Sequence, residues 1–121
     1  MKTIIAGSRD ISDPTLLEDV IIKSGINISE VVCGGARGVD NLGREWANNG
    51  NVVPVKLFNA QWNTFGKSAG YKRNIQMAEY ADALIAIWDG ESRGTKHMID
   101  TAKAYGLYVH VYNLKLENGL I

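Results

Sequence analysis

The sequence predicts an α/β fold: a Rossmann-like, doubly wound parallel sheet of about five strands in the order 3-2-1-4-5, with helices on both faces. Three observations carry that prediction. Short apolar, β-branched runs alternate along the chain with stretches of helical periodicity. The runs are apolar at consecutive positions rather than every second one, as strands buried on both faces require. Right-handed crossovers between such strands then restrict the topology to the doubly wound family.

The first strand is expected over residues 2–6. A helix follows, with Asp13 as N-cap and Pro14 in its first turn, an apolar face of Leu16, Leu17, Val20 and Ile21, and Gly25 as its stop. Residues 30–33 give the second strand, and residues 40–49 a helix closed by Gly50. The third strand is expected over 52–58, and a helix over 69–80 with Tyr71, Ile75 and Ala78 at core-facing spacing and Arg73, Asn74 and Met77 opposite. The fourth strand spans 83–88. A last helix spans about 95–105, with Met98, Ile99 and Ala102 as its stripe and Gly106 as its cap, before a fifth strand over 107–112. Residues 115–121 carry little signal and are expected to form a loose tail on a single domain covering residues 1–121.

With 121 residues the chain has room for one domain and no separate effector module. It is 45% hydrophobic and 21% charged, with mean hydropathy −0.11, the balance of a globular chain rather than a disordered one. Thirteen Lys and Arg offset thirteen Asp and Glu, so bulk charge argues against wrapping duplex DNA or lying on an anionic membrane. No apolar run approaches a membrane span and the start is too short for a signal peptide, so a cytoplasmic location is expected. One cysteine, Cys33, rules out an internal disulfide, and His97 and His110 show no ligand spacing, so no metal and no cofactor are expected.

Thirteen glycines against two prolines is the unusual feature. Ligands in doubly wound sheets bind beyond the carboxyl ends of the strands, at the point where strand order reverses. The loops there read Gly7-Ser8-Arg9, Gly34-Gly35-Ala36-Arg37-Gly38-Val39-Asp40, Gly66-Lys67-Ser68-Ala69-Gly70 and Asp89-Gly90-Glu91-Ser92-Arg93-Gly94-Thr95. Each combines glycine with Arg or Lys. Glycines let backbone N–H groups approach an anion, and a helix N-terminus adds partial positive charge. The second loop lacks the spacing of dinucleotide folds, and Gly66-Lys67-Ser68 lacks the glycine of a P-loop, Gln61 standing there instead. Arg73 can pair bidentately with phosphate. Trp88 can stack on a base and Asp89 can accept from ribose hydroxyls, or they are a rim tryptophan and an Asx turn. Ser92 and Thr95 are equally explained as caps, and Asp40 as a complement to its helix dipole.

These stretches, with Ala69-Gly70-Tyr71-Lys72-Arg73-Asn74, Met77, Ala81-Asp82 and Trp88-Asp89-Gly90, resemble the SLOG superfamily (Smf/DprA and LOG proteins), in its YspA/YpsA-related branch common in bacteria and their phages. The resemblance covers nearly the whole chain. LOG enzymes cleave the N-glycosidic bond of nucleoside monophosphates with an arginine in an RKxxM motif and a glutamate after PGGxGT. Arg73 to Met77 resembles the first motif, whereas the glutamate position falls at or near Met98, leaving Arg73, Asp89 and Glu91 as catalytic candidates. DprA-like proteins share the Gly7-Ser8-Arg9 start and the Ala36-Arg37-Gly38-Val39-Asp40 turn, and they bind single-stranded DNA.

The resulting expectation is a domain that holds a nucleotide or nucleotide-derived molecule at the carboxyl edge of its sheet, as a sensor or a sequestering protein. The expected ligand residues are Gly7, Ser8, Arg9, Gly34, Gly35, Ala36, Arg37, Gly38, Asp40, Arg73, Asn74, Met77, Trp88, Asp89, Gly90, Ser92, Gly94 and Thr95. A nucleoside 5′-monophosphate N-glycosidase and a single-strand nucleic-acid binder are the alternatives. Neutral charge and the short chain favour a ligand of one or two nucleotides over a strand. An effector protein is the expected partner for signalling, and the resemblance implies a homodimer.

Overall fold

The computed structural model describes residues 1–35, 38–50 and 53–119. Five parallel strands, β1 (Lys2–Gly7), β2 (Glu30–Cys33), β3 (Val55–Leu57), β4 (Ala83–Trp88) and β5 (Tyr108–Asn113), form one sheet in the order β3-β2-β1-β4-β5. The helices are α1 (Pro14–Ser24), α2 (Val39–Asn48), the single-turn α3 (Trp62–Phe65), α4 (Ala69–Tyr80), α5 (Arg93–Ala104) and the short α6 (Leu114–Gly119). The predicted architecture and strand order both hold.

Alternation along the strands divides the core in two. Ile5, Val31, Cys33, Ile85 and Ile87 face Leu17, Val20 and Ile21 of α1 and Leu42 and Ala47 of α2. Ile4, Ala6, Val32, Leu84 and Ala86 face Met77 and Ala78 of α4 and Met98, Ile99 and Ala102 of α5. Strands that bury both faces in this way read as unbroken apolar runs, and each fully buried Ile or Leu contributes about 1.5–3 kcal/mol.

Asp13 caps α1, accepting from the Thr15 amide at 3.0 Å, and Gly25 ends it at φ 69°, a left-handed conformation that favours glycine. The α2 helix begins one residue earlier than expected, at Val39, and α5 two residues earlier, at Arg93. The third strand is shorter than residues 52–58, and its expected start at Val52 lies outside the described residues. Residues 114–119 of the C-terminal segment form a short helix, started by Asn113 Oδ1 accepting from the Lys115 amide at 3.0 Å. Residues 120–121 of the expected loose tail lie outside the described residues.

The α4 helix is rolled relative to the sequence expectation. Met77, Ala78 and Asn74 are buried, whereas Tyr71 is 44% exposed. Tyr71 lies against the His97 ring with centroids 4.3 Å apart, and the Asn74 side chain enters the seam between α4 and α5. Those two contacts set the helix rotation, and Met77 then faces the sheet.

Candidate functional site

The strand order reverses between β1 and β4, and a cavity of about 320 Å³ opens there at the carboxyl edge. Its apolar lining is Ala6, Met77 and Met98, all buried. Its polar wall is built from the turn after β1 (Gly7, Ser8, Arg9, Asp10), Asp40 of α2, Arg73 and Asn74 of α4, and Asp89, Ser92, Gly94 and Thr95 around the start of α5.

Close backbone approach positions the first turn. A Cβ on Gly7 would lie 2.1 Å from the Ile87 carbonyl oxygen and 2.7 Å from Val39 Cγ2, so only glycine lets β1, β4 and α2 meet here. The Ser8 carbonyl accepts from the Ile11 amide at 3.3 Å, while Ser8 Oγ accepts from the Asp89 amide at 3.1 Å. The ends of the two central strands are thereby tied together.

Arg73 is the central cation of the cavity. Its Nη1 donates to the Gly34 carbonyl at 2.6 Å. A Cβ on Gly34 would sit 2.4 Å from that nitrogen, so Gly34 is the opening through which the guanidinium passes. Buried Arg73 Nε has no hydrogen-bond partner among the described residues. Burial pulls the Arg73 pKa down, opposed by the nearby Asp40 charge and aided by Arg9. A guanidinium stays protonated under any such shift, so the cavity holds a cation with an unsatisfied donor.

Asn74 gives one amide bond to the Gly94 carbonyl at 3.3 Å and another to His97 Nδ1 at 3.1 Å, leaving Oδ1 as its remaining polar atom. Burial lowers the His97 pKa, with the Asp100 charge opposing, which fits a neutral ring accepting from Asn74. Ser92 caps α5 through Oγ, 3.5 Å from the Thr95 amide. The remaining first-turn amides of α5 have no intrahelical partner and add positive potential beside Gly94.

Asp89 makes the Asx turn: its Oδ1 accepts from the Glu91 and Ser92 amides, both at 2.8 Å. Those bonds, that of Ser92 foremost, hold its carboxyl below the usual carboxylate range. Trp88 turns away from the cavity; its Nε1 donates to the Ser92 carbonyl at 3.0 Å, and its ring packs on the α4–α5 side of the core. Trp88 is thus outside the described cavity lining, with its indole N–H engaged by Ser92.

Other expected site residues also lie outside the cavity lining. Gly34 serves Arg73, Gly35 sits by Asn59 and Leu57, and Gly38 abuts the Ser8 and Arg9 carbonyls. Gly90 lies against Lys115, and Glu91 is exposed, 3.7 Å from Lys115 Nζ. Ala36 and Arg37 lie outside the described residues, as do the side chains of Trp62 and Lys67. Two further cations near this edge are engaged elsewhere: Lys96 with Asp100 at 2.7 Å, and Lys72 over the Phe65 ring. The sequence reading missed Ala6, Asp10 and Met98 as lining residues; Met98 was legible only as core, because a helix stripe does not show which of its members ends at a cavity.

Among the described residues no group of His, Cys, Asp and Glu is arranged to hold a metal, and no helix is long and apolar enough to cross a membrane. The profile of the YspA, cpYpsA-related SLOG family matches residues 1–65. The gene 61 protein of Mycobacterium phage D29 is 37% identical over 117 residues, an alignment covering 89% of this chain and 93% of that protein. No solved structure gives a significant match.

Proposed function

We propose that this chain, which belongs to the YspA, cpYpsA-related SLOG family, holds a small nucleotide-derived anion in the cavity between β1 and β4. The observation that carries the reading is Arg73: a half-buried arginine lining the cavity, its Nη1 held by the Gly34 carbonyl and its enclosed Nε without a partner among the described residues. A phosphate in the cavity would pair with this guanidinium, with Arg9 and the α5 N-terminus adding positive potential. Asn74 and Asp89, which line the cavity, would accept from sugar hydroxyls or base amines through their side-chain oxygens.

The lining favours a compact ligand over a strand. Among the described residues, two guanidiniums, Arg9 and Arg73, stand against three carboxylates, Asp10, Asp40 and Asp89, a balance unlike the cationic groove that tracks a phosphate backbone. Its volume of about 320 Å³ is at the small end for ligand pockets. The lining also favours holding over hydrolysis. Met98, fully buried, occupies the place where the LOG resemblance puts a glutamate, and Asp89 stays ionised with one oxygen committed to backbone amides. With Met98 where the resemblance puts the glutamate and Asp89 held ionised, the site is read as one that binds and reports, or sequesters.

Calorimetric titration with nucleoside mono-, di- and triphosphates, cyclic nucleotides, ADP-ribose and oligo-dT tests this. At least one small nucleotide is expected to bind, more tightly than oligo-dT and without release of free base. Absence of heat across the panel, or preference for the oligonucleotide, refutes the reading.

A further inference from the structure

We infer that the free edge of β5 is a self-complementary docking strand for a second copy of this chain. The two edges of the sheet differ. Strand β3 is three residues long, starts just after Pro54 and carries Lys56, the short, interrupted and charged pattern that protects an edge from pairing. Strand β5 is six residues long, Tyr108-Val109-His110-Val111-Tyr112-Asn113, with no proline, lysine or acidic residue. Tyr108 on it is 53% exposed. Among the described residues after β5, Lys115 of α6 packs on Gly90 and approaches Glu91, beyond the carboxyl end of β4 rather than along this edge.

The sequence of the edge is a palindrome about His110. In an antiparallel pair centred on a two-fold axis at His110, Val109 stands opposite the other copy's Val111, Tyr108 opposite its Tyr112, and His110 opposite itself. Such an isologous contact closes at two copies. The backbone register agrees with that centre. The Tyr108 amide donates inward to the Asp82 carbonyl at 3.1 Å, and β5 pairs in register with β4 from Ala83↔Tyr108 onward. The intervening residues, Val109 and Val111, therefore point their N–H and C=O groups outward. Those groups are the ones a pair centred on His110 needs: each Val109 exchanges two hydrogen bonds with the facing Val111, and His110 falls at a non-hydrogen-bonded position where Cα atoms approach to about 4.5 Å. Aromatic and β-branched residues facing one another add side-chain contact on both faces. Because the paired strands run antiparallel, the two cavities open toward opposite ends of the joined sheet, and the interface leaves each of them complete.

Sedimentation equilibrium of the full chain with crosslinking tests this. The wild type is expected to dimerise at micromolar concentration. Val111→Pro removes an outward amide that β4 does not use, and His110→Lys sets two like charges face to face; each is expected to weaken the dimer by about tenfold or more while far-UV circular dichroism is unchanged. His110→Cys brings two thiols within disulfide range and is expected to give a covalent dimer on non-reducing gels. Since the wild type carries only buried Cys33, it is expected to give none. A monomeric wild type overturns the proposal, as does a dimer that neither substitution weakens or one that His110→Cys does not lock.

Discussion

Replacing Arg73 with methionine separates a residue kept for binding from one kept for stability. Arg73 makes one charge-assisted bond, Nη1 to the Gly34 carbonyl at 2.6 Å, of a kind that contributes about 1.5–3 kcal/mol. Against it stands the burial of the orphaned Nε, which costs about 1–3 kcal/mol; of the neighbouring charges, Asp40 favours the guanidinium and Arg9 opposes it. Methionine keeps much of the packing and relieves the cost at Nε and the Arg9 repulsion, but gives up the Asp40 attraction and leaves the Gly34 carbonyl to water in the adjoining cavity. The opposing contributions cancel to within about 1 kcal/mol, or roughly 3–6 °C in melting temperature for a chain of this size. Ligand binding is a different matter. Losing a charge-assisted contact to an anion removes about 1.5–3 kcal/mol, roughly ten- to hundredfold in Kd. Urea denaturation and calorimetry on the same preparations measure both quantities. An Arg73→Met protein destabilised by much more than the cancellation allows, yet binding nucleotide as the wild type does, refutes the assignment of Arg73 to the ligand.

Three further outcomes are expected. Gly7→Ala forces a Cβ to within 2.1 Å of a backbone oxygen, so chemical denaturation is expected to show a loss of about 3 kcal/mol or more; a near-neutral result contradicts the close approach of β1 and β4. His97 is held below its ordinary pKa chiefly by burial, so the unfolded chain binds the extra proton first, and stability is expected to decline as pH falls below about 6.5. His97→Gln is expected to flatten that slope, and an unchanged slope assigns it to other groups. The Cys33 thiol is pushed up to about 11, by burial first and the Asp40 charge second. Native protein is accordingly expected to resist thiol labelling at pH 8 until denaturant is added, and rapid native labelling contradicts the burial.

The strands were legible because a strand buried on both faces declares itself over four to six consecutive residues, and no other part of the chain alters that signal. The same holds for Asp13, Pro14 and Gly25, whose roles are fixed by local geometry at the two ends of α1. The loops of the carboxyl edge were legible as a group, since glycine and arginine recur after successive strands and topology brings those strand ends together. Arg9, Asp40, Arg73, Asn74 and Asp89 do converge on one cavity. Which side chains of that group line the cavity was not legible. The helical period of α4 allowed either Tyr71 or Met77 to face the sheet, and contact with His97 in another helix decided between them. Trp88 stands at a strand end suited to stacking, yet the Ser92 carbonyl captures its indole nitrogen.

The sequence by itself determined the elements, their order and the edge at which glycines and cations gather, because strand apolarity, helix caps and crossover handedness are local or nearly so. Only the tertiary structure decided which of those groups share a cavity, and that Met98 belongs to its lining. It also showed that Gly34 is the opening through which Arg73 passes. The reason is physical: a site is set by the rotation of helices about their own axes and by side chains competing for the same backbone partner, and both are settled by residues far apart in the chain.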